Sequence, residues 1–119
     1  MIKNYSFQKN EFIVIKEKGK VSQVALSEVS HIETKSGLSI INKINNEKIF
    51  ISKNLKSLEI ECNLKNKALI RINRNEIINF AYIKEVSFIN KNLTLFNGRK
   101  FTITRRNIKN IKELFIQKK

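Results

Sequence analysis

Five arginines stand in a chain that otherwise takes lysine for its cations, with 19 Lys against 5 Arg. Three of the five, Arg74, Arg105 and Arg106, fall at two polar interruptions, and a fourth, Arg71, lies in the strand-like run just before the first. The first is Asn73-Arg74-Asn75. It halts the strand-like alternation of Leu69-Ile70-Arg71-Ile72, and apolar residues resume at Ile77-Ile78. The second is Thr104-Arg105-Arg106-Asn107, ahead of an apolar-striped terminal segment. A guanidinium is a rigid planar fork that bonds bidentately to phosphate or to the O6 and N7 of guanine. Drift toward lysine codons would have converted arginines that had no such need. The competing reading is an internal ion pair, such as Arg71 with Glu76.

Other chemistries find little support. The only histidine, His31, lies in EVSHIETK. Simple alternation puts Val29, His31 and Glu33 on one strand face and Ile32 on the other, and a histidine without partners reads as structural. The only cysteine, Cys62, lies in a helical pattern and reads as a small buried side chain, so no internal disulfide exists. Zinc takes about four ligands, which these two residues do not supply. The ten carboxylates are scattered, and no glycine-rich phosphate loop is present. The chain therefore reads as a non-enzyme with no cofactor and no metal site.

Charge points to the partner. With 24 Lys+Arg against 10 Asp+Glu the formal net charge is +14 over 119 residues. A folded domain this basic meets a polyanion, nucleic acid ahead of an anionic membrane surface. Compositional drift is the bland alternative, since 20 Ile, 19 Lys and 16 Asn fit AT-rich codon usage. The polar start MIKNYSFQKNEF lacks a signal-peptide core. No apolar run reaches the about 20 residues a membrane span needs. The expected setting is cytoplasmic, with no membrane partner.

The elements that must position these residues follow from turn signals. There is no proline, and the three glycines, Gly19, Gly37 and Gly98, mark turns. FIVIKEKGKVSQVAL reads as two strands about Lys18-Gly19. A strand from Glu28 to about Glu33, a turn at Lys35-Ser36-Gly37 and a strand from Leu38 to Ile44 come next. Asn45-Asn46 turns into EKIFIS, and Asn97-Gly98 joins LTLF to RKFTIT. Asn54–Cys62 reads as a helix capped by asparagine. Arg106–Lys119 reads as a helix with Ile108, Ile111, Leu114 and Phe115 on one stripe, packed on the sheet. Phe12, Phe50, Phe80, Phe88, Phe96 and Phe101 lie in strand patterns and read as core, leaving Tyr5, Phe7 and Tyr82 as exposed rings. The sum is one mainly β, antiparallel domain with short helices, neither of which suits the major groove of DNA.

The order VALSEVSHIETKSGLSII, ISKNLKSLE, LIRINRNEIINFAYI, LFNGRKFTITRRNIKNIKEL resembles the LytTR family of bacterial DNA-binding domains. The resemblance runs from about Phe12 to Phe115. It implies an elongated antiparallel β-sheet domain over 12–119, behind an N-terminal extension of 1–11. It also implies that loops, rather than a helix, enter successive major grooves. By that resemblance Lys35, Ser36 and Gly37 form the first DNA-binding loop, Asn73, Arg74 and Asn75 the second, and Thr104, Arg105, Arg106 and Asn107 the third. Chemistry suits the allocation. Arg74 and Arg106 can fork onto guanine, and Asn73, Asn75 and Asn107 can pair with adenine. Lys35, Thr104 and Arg105 suit phosphates, although Asn107 also fits a helix-cap role. Asn79 matches a family asparagine and reads as structural.

Departures from the family pattern are Asn73 for its histidine, Asn75 for its serine and Thr104 for its serine. Gly37 stands where some members carry a large polar residue, which weakens base reading from the first loop. Family members usually follow a receiver domain, so the chain reads as a stand-alone regulator or as a response-regulator output domain. The leading expectation is a sequence-specific transcription regulator on double-stranded DNA with repeated sites, with room for a dimer on DNA. The alternative is a basic β domain binding RNA or other nucleic acid without sequence preference. A third is a protein-interaction module that keeps only the fold.

Overall fold

The computed structural model describes residues 11–61 and 68–116. Cys62, Tyr5 and Phe7 lie outside them, and so do the last three positions of the terminal helix expected from the sequence. Short apolar alternations joined by tight turns of two to four residues, two 3₁₀ turns and a helix make ten strands among the described residues, all paired antiparallel. Strands account for about half of the described residues, so the chain is mainly β.

β1 (Phe12–Glu17) and β2 (Lys20–Ala25) form a hairpin. β3 (Val29–Lys35), β4 (Leu38–Lys43), β5 (Lys48–Ile51), β6 (Leu69–Asn73) and β7 (Glu76–Asn79) form a five-stranded sheet in the order β5-β4-β3-β7-β6. β8 (Ile83–Ser87), β9 (Asn92–Leu95) and β10 (Lys100–Thr102) form a three-stranded sheet. α1 (Leu55–Glu61) follows β5, and α2 (Arg105–Ile116) follows β10, beginning one residue before the expected start. Asn54 caps α1, its side-chain oxygen accepting from the Ser57 amide at 2.8 Å.

The central sheet buries both faces, so its strands carry apolar residues on both sides. One face (Ile32, Ile41, Ile51, Leu69, Ile77) packs on Ile13, Ile15 and Val24 of the hairpin and on Leu55 and Leu58 of α1. The other (Ile70, Ile72, Ile78) packs on Leu93, Leu95, Phe101 and Ile103 of the small sheet. Ile111 of α2 is fully buried there, and Ile108, Leu114 and Phe115 pack against the same core, as the stripe predicts. The molecule measures 44 × 32 × 25 Å.

Two 3₁₀ turns, Leu26–Glu28 and Phe80–Tyr82, carry the chain between sheets. Asn79, fully buried, ties them together. Its amide donates to the carbonyls of Leu26 (3.2 Å) and Val29 (2.8 Å), and its oxygen accepts from the Ala81 amide (3.1 Å). The structural reading of Asn79 thus agrees with its contacts. The Tyr82 hydroxyl donates to the Ser27 carbonyl beside it.

Three sequence expectations change. A bulge between Val29 and His31 breaks strict alternation. Val29 therefore joins the first core, while His31 stacks on Phe101 of the small sheet at 4.9 Å. Not all strand phenylalanines are core either. Phe80 and Phe101 are buried, but Phe12, Phe50 and Phe96 are 43%, 57% and 67% exposed. Arg71 pairs with Glu59 of α1 at 2.6 Å rather than with Glu76. A rule of alternation sees neither the bulge nor the sheet's lateral edges, which is where these residues depart.

Candidate nucleic-acid interface

The β3–β4 loop is a two-residue turn, with Lys35 paired to Leu38 and positive φ at Ser36 (52°) and Gly37 (82°). That geometry matches a type I′ turn and the twist of the flanking strands. Lys35, Ser36 and Gly37 are all exposed. The β6–β7 loop turns differently. Asn73 pairs with Glu76, and the Asn73 side-chain oxygen accepts from the Asn75 amide at 2.8 Å, an Asx-turn. Arg74 and Asn75 are left exposed at its tip, while Ile72, Ile77 and Ile78 anchor its base in the cores.

The third segment opens α2. The Thr104 carbonyl accepts from the amides of Asn107 (2.9 Å) and Ile108 (3.1 Å). Thr104 and Asn107 also bond side chain to side chain at 2.8 Å. Arg105 and Arg106 project from the first helical turn, both exposed.

Backbone and amide bonds stitch the three segments into one end of the molecule. The Thr34 amide donates to the Asn75 carbonyl at 2.9 Å, joining the first segment to the second. The Asn73 side-chain amide donates to the Thr102 carbonyl at 2.7 Å, and the Thr104 amide to the Ile72 carbonyl at 3.0 Å, joining the second to the third. All ten residues singled out from the sequence therefore lie on one connected surface.

They are not equivalent on it. The Asn73 side chain is spent within the protein, since its amide bonds Glu76 (2.8 Å) as well as Thr102 and its oxygen holds Asn75. Arg71 is also spent. Its guanidinium donates to the carbonyls of Asn73 and Arg74, both at 2.9 Å, and to Glu59 at 2.6 Å. Arg71 thus clamps the turn that displays Arg74. Among the described residues, no carboxylate pairs with Arg74, Arg105 or Arg106.

The fifth arginine, Arg99, carried no expectation from the sequence. It lies 5.1 Å over the Phe101 ring, 3.2 Å from His31 Nε2 and 3.9 Å from Glu33. Arginine only donates, so Nε2 must accept, and the proton sits on Nδ1, facing Ser30 Oγ at 2.8 Å. His31 is 2% exposed, and burial first, then Arg99 and Lys48 against the opposing pull of Glu33, lowers its pKa to about 4. A neutral histidine locked this way is a packing element. No local signal marks Arg99, because its partner His31 lies six strands earlier in the chain and only the topology brings the two together.

Among the described residues no group of three or more His, Cys, Asp or Glu could hold a metal ion, and no helix is long and apolar enough to cross a membrane. What remains is a class: a basic β domain that displays loops and unpaired guanidinium groups at one end. The chain belongs to the LytTR family, whose model, the LytTr DNA-binding domain, matches residues 19–116. Such domains are DNA-binding domains of transcription regulators, a binding rather than a catalytic family. Among solved structures, the chain is similar to the LytTr DNA-binding domain of a Bacillus cereus protein described as a methyl-accepting/DNA response regulator. The TM-score is 0.68 at 20% identity, over 87% of this chain and 95% of that one, a likeness of fold. No curated protein sequence matches the chain.

Proposed function

We infer that the chain is a sequence-specific transcription regulator that grips duplex DNA with its three loops. The observation that carries this reading is the division of the arginines. Arg71 and Arg99 are locked in the fold, whereas Arg74, Arg105 and Arg106 face solvent unpaired on two hydrogen-bonded segments of one surface. Forks held on a rigid frame suit guanine edges, and Asn75 beside Arg74 suits adenine. Lys35 and Arg105 fit phosphates and set register. Asn73, Thr104 and Asn107 serve as the frame. Entry of the loops into neighbouring major grooves from one side is the mode that the family resemblance implies. Repeated half-sites would then place two copies on one operator, in the cytoplasm where such DNA is found.

Binding without sequence preference remains the second reading, because Phe12, Phe50 and Phe96 are exposed. Phe12 and Phe50 lie in different sheets, however, and Phe96 in the turn after β9, a scatter that does not suit the row on which successive bases stack. Selection from a random duplex pool, repeated with Arg74→Ala and Arg106→Ala, decides between them. A recovered motif, with each variant losing preference at its own positions, is the expected result. If no motif emerges and both variants merely weaken salt-sensitive binding, the regulator reading is wrong. With about six phosphates neutralised, affinity falls by about three decades from 50 to 200 mM salt.

A further inference from the structure

We propose that the tip of the β1–β2 hairpin is an outer clamp on the DNA backbone, flanking the first loop. The inference rests on the DNA-binding reading above and extends the contact surface to a segment outside the three loops. The tip reads Lys16-Glu17-Lys18-Gly19-Lys20, and its three lysines are exposed. No carboxylate among the described residues pairs with them. The one acid of the tip, Glu17, is turned to the Ser52 amide at 2.9 Å.

Position separates this tip from an ordinary solvated turn. Lys53 donates its ammonium to the Lys16 carbonyl at 3.1 Å, and the Lys53 carbonyl accepts from Ser39 Oγ at 2.5 Å. Ser39 follows Leu38, which pairs with Lys35 across the first loop. Two hydrogen-bonded steps thus fix the hairpin tip against the same end of the fold as Lys35, on the side away from Arg74. The tip is a tight two-residue turn, with positive φ at Lys18 (52°) and Gly19 (77°). Asparagine suits such a position better than lysine, and the chain uses Asn46 (φ 74°) in the β4–β5 turn. The chain also places Lys91 at positive φ (55°), so what distinguishes the tip is its exposed, unpaired lysines and its position beside the first loop.

Its chemistry selects phosphate over bases. An ammonium is a point charge on a flexible stem, and the tip holds no guanidinium or amide side chain to read a base edge. The lysines would therefore neutralise backbone just outside the stretch read by the loops.

The test uses the whole 119-residue chain with Lys18→Gln and Lys20→Gln together, on the duplex that wild type selects. The slope of log affinity against log salt should become shallower by about 1 to 2, each lost phosphate contact being worth about 0.9. The hydroxyl-radical footprint should shorten on the flank next to the first loop, with base preference unchanged. Lys18→Arg with Lys20→Arg should restore slope and footprint, and an unchanged melting temperature excludes misfolding as the cause. A slope and footprint identical to wild type would overturn the clamp, and so would altered base preference, which would make the tip a base reader. Failure of the wild-type chain to bind any duplex appears before any substitution, and it overturns the DNA reading and the clamp together.

Discussion

Replacing Asn73 with alanine removes three hydrogen bonds at once: those to Glu76 (2.8 Å), to the Thr102 carbonyl (2.7 Å) and from the Asn75 amide (2.8 Å). Each is worth about 0.5–1.5 kcal/mol net, and the half-buried setting keeps the sum near the low end, about 2 kcal/mol. For a domain of this size that lowers the melting temperature by about 8 °C. The same bonds hold the Arg74 tip and join it to the strand leading into α2. Without them Arg74 and Asn75 must be ordered on binding, at about 1–2 kcal/mol per residue, so affinity falls by about tenfold or more. The loss should be uniform across operator variants, because Asn73 has no bond left to give a base. Thermal unfolding and selection from a random duplex pool measure the two effects. Unchanged melting with lost preference at a single adenine would refute the reasoning, since the side chain would then leave its internal partners to read DNA.

The remaining predictions follow from the same contacts. Asn79→Ala leaves the carbonyls of Leu26 and Val29 without their buried donor and should cost about 3 kcal/mol in denaturant unfolding, with slope m unchanged. Arg71→Met should cost only about 1 kcal/mol of stability, because Arg71 and Glu59 are each about a third exposed, yet it should weaken DNA binding by freeing the Arg74 turn. Equal losses in both measurements would argue against a clamp. His31 gives a pH signature. Its folded pKa is lowered from 6.5 to about 4, so folding favours the neutral ring. Stability from this group is complete above about pH 6.5 and is lost as pH falls toward 4, by at most about 3 kcal/mol. His31→Gln should flatten unfolding free energy over that window, and an NMR titration of His31 near 6.5 would contradict the locked neutral ring.

Much of this architecture was legible because its signals are local. The hairpin at Lys18-Gly19, the Ser36-Gly37 turn and the Asn97-Gly98 turn each announce themselves by residues that tolerate positive φ, and Gly19, Gly37 and Gly98 all adopt it. The stripe of α2 likewise needs only its own sequence, and Ile111 ends fully buried. What escaped was lateral. The bulge at Val29/His31 has no residue signature, so it moved His31 to the other face without notice. Phe50 lies on an edge strand, β5, where a pattern that promises burial meets open solvent.

The arginines show the same limit at the site. Sequence alone marks Arg71, Arg74, Arg105 and Arg106 alike as planar forks kept in a lysine-rich chain. Their roles part only when partners are supplied by distant segments: Glu59 of α1 for Arg71, and none among the described residues for the other three. Asn73 follows the same logic, since the Thr102 carbonyl that engages it lies 29 residues away. A side chain that could read a base is thus diverted to building the frame, and its neighbour Arg74, one residue on, keeps its fork free. Residue type therefore identifies which groups are able to recognise DNA, while tertiary pairing decides which of them remain available to do so.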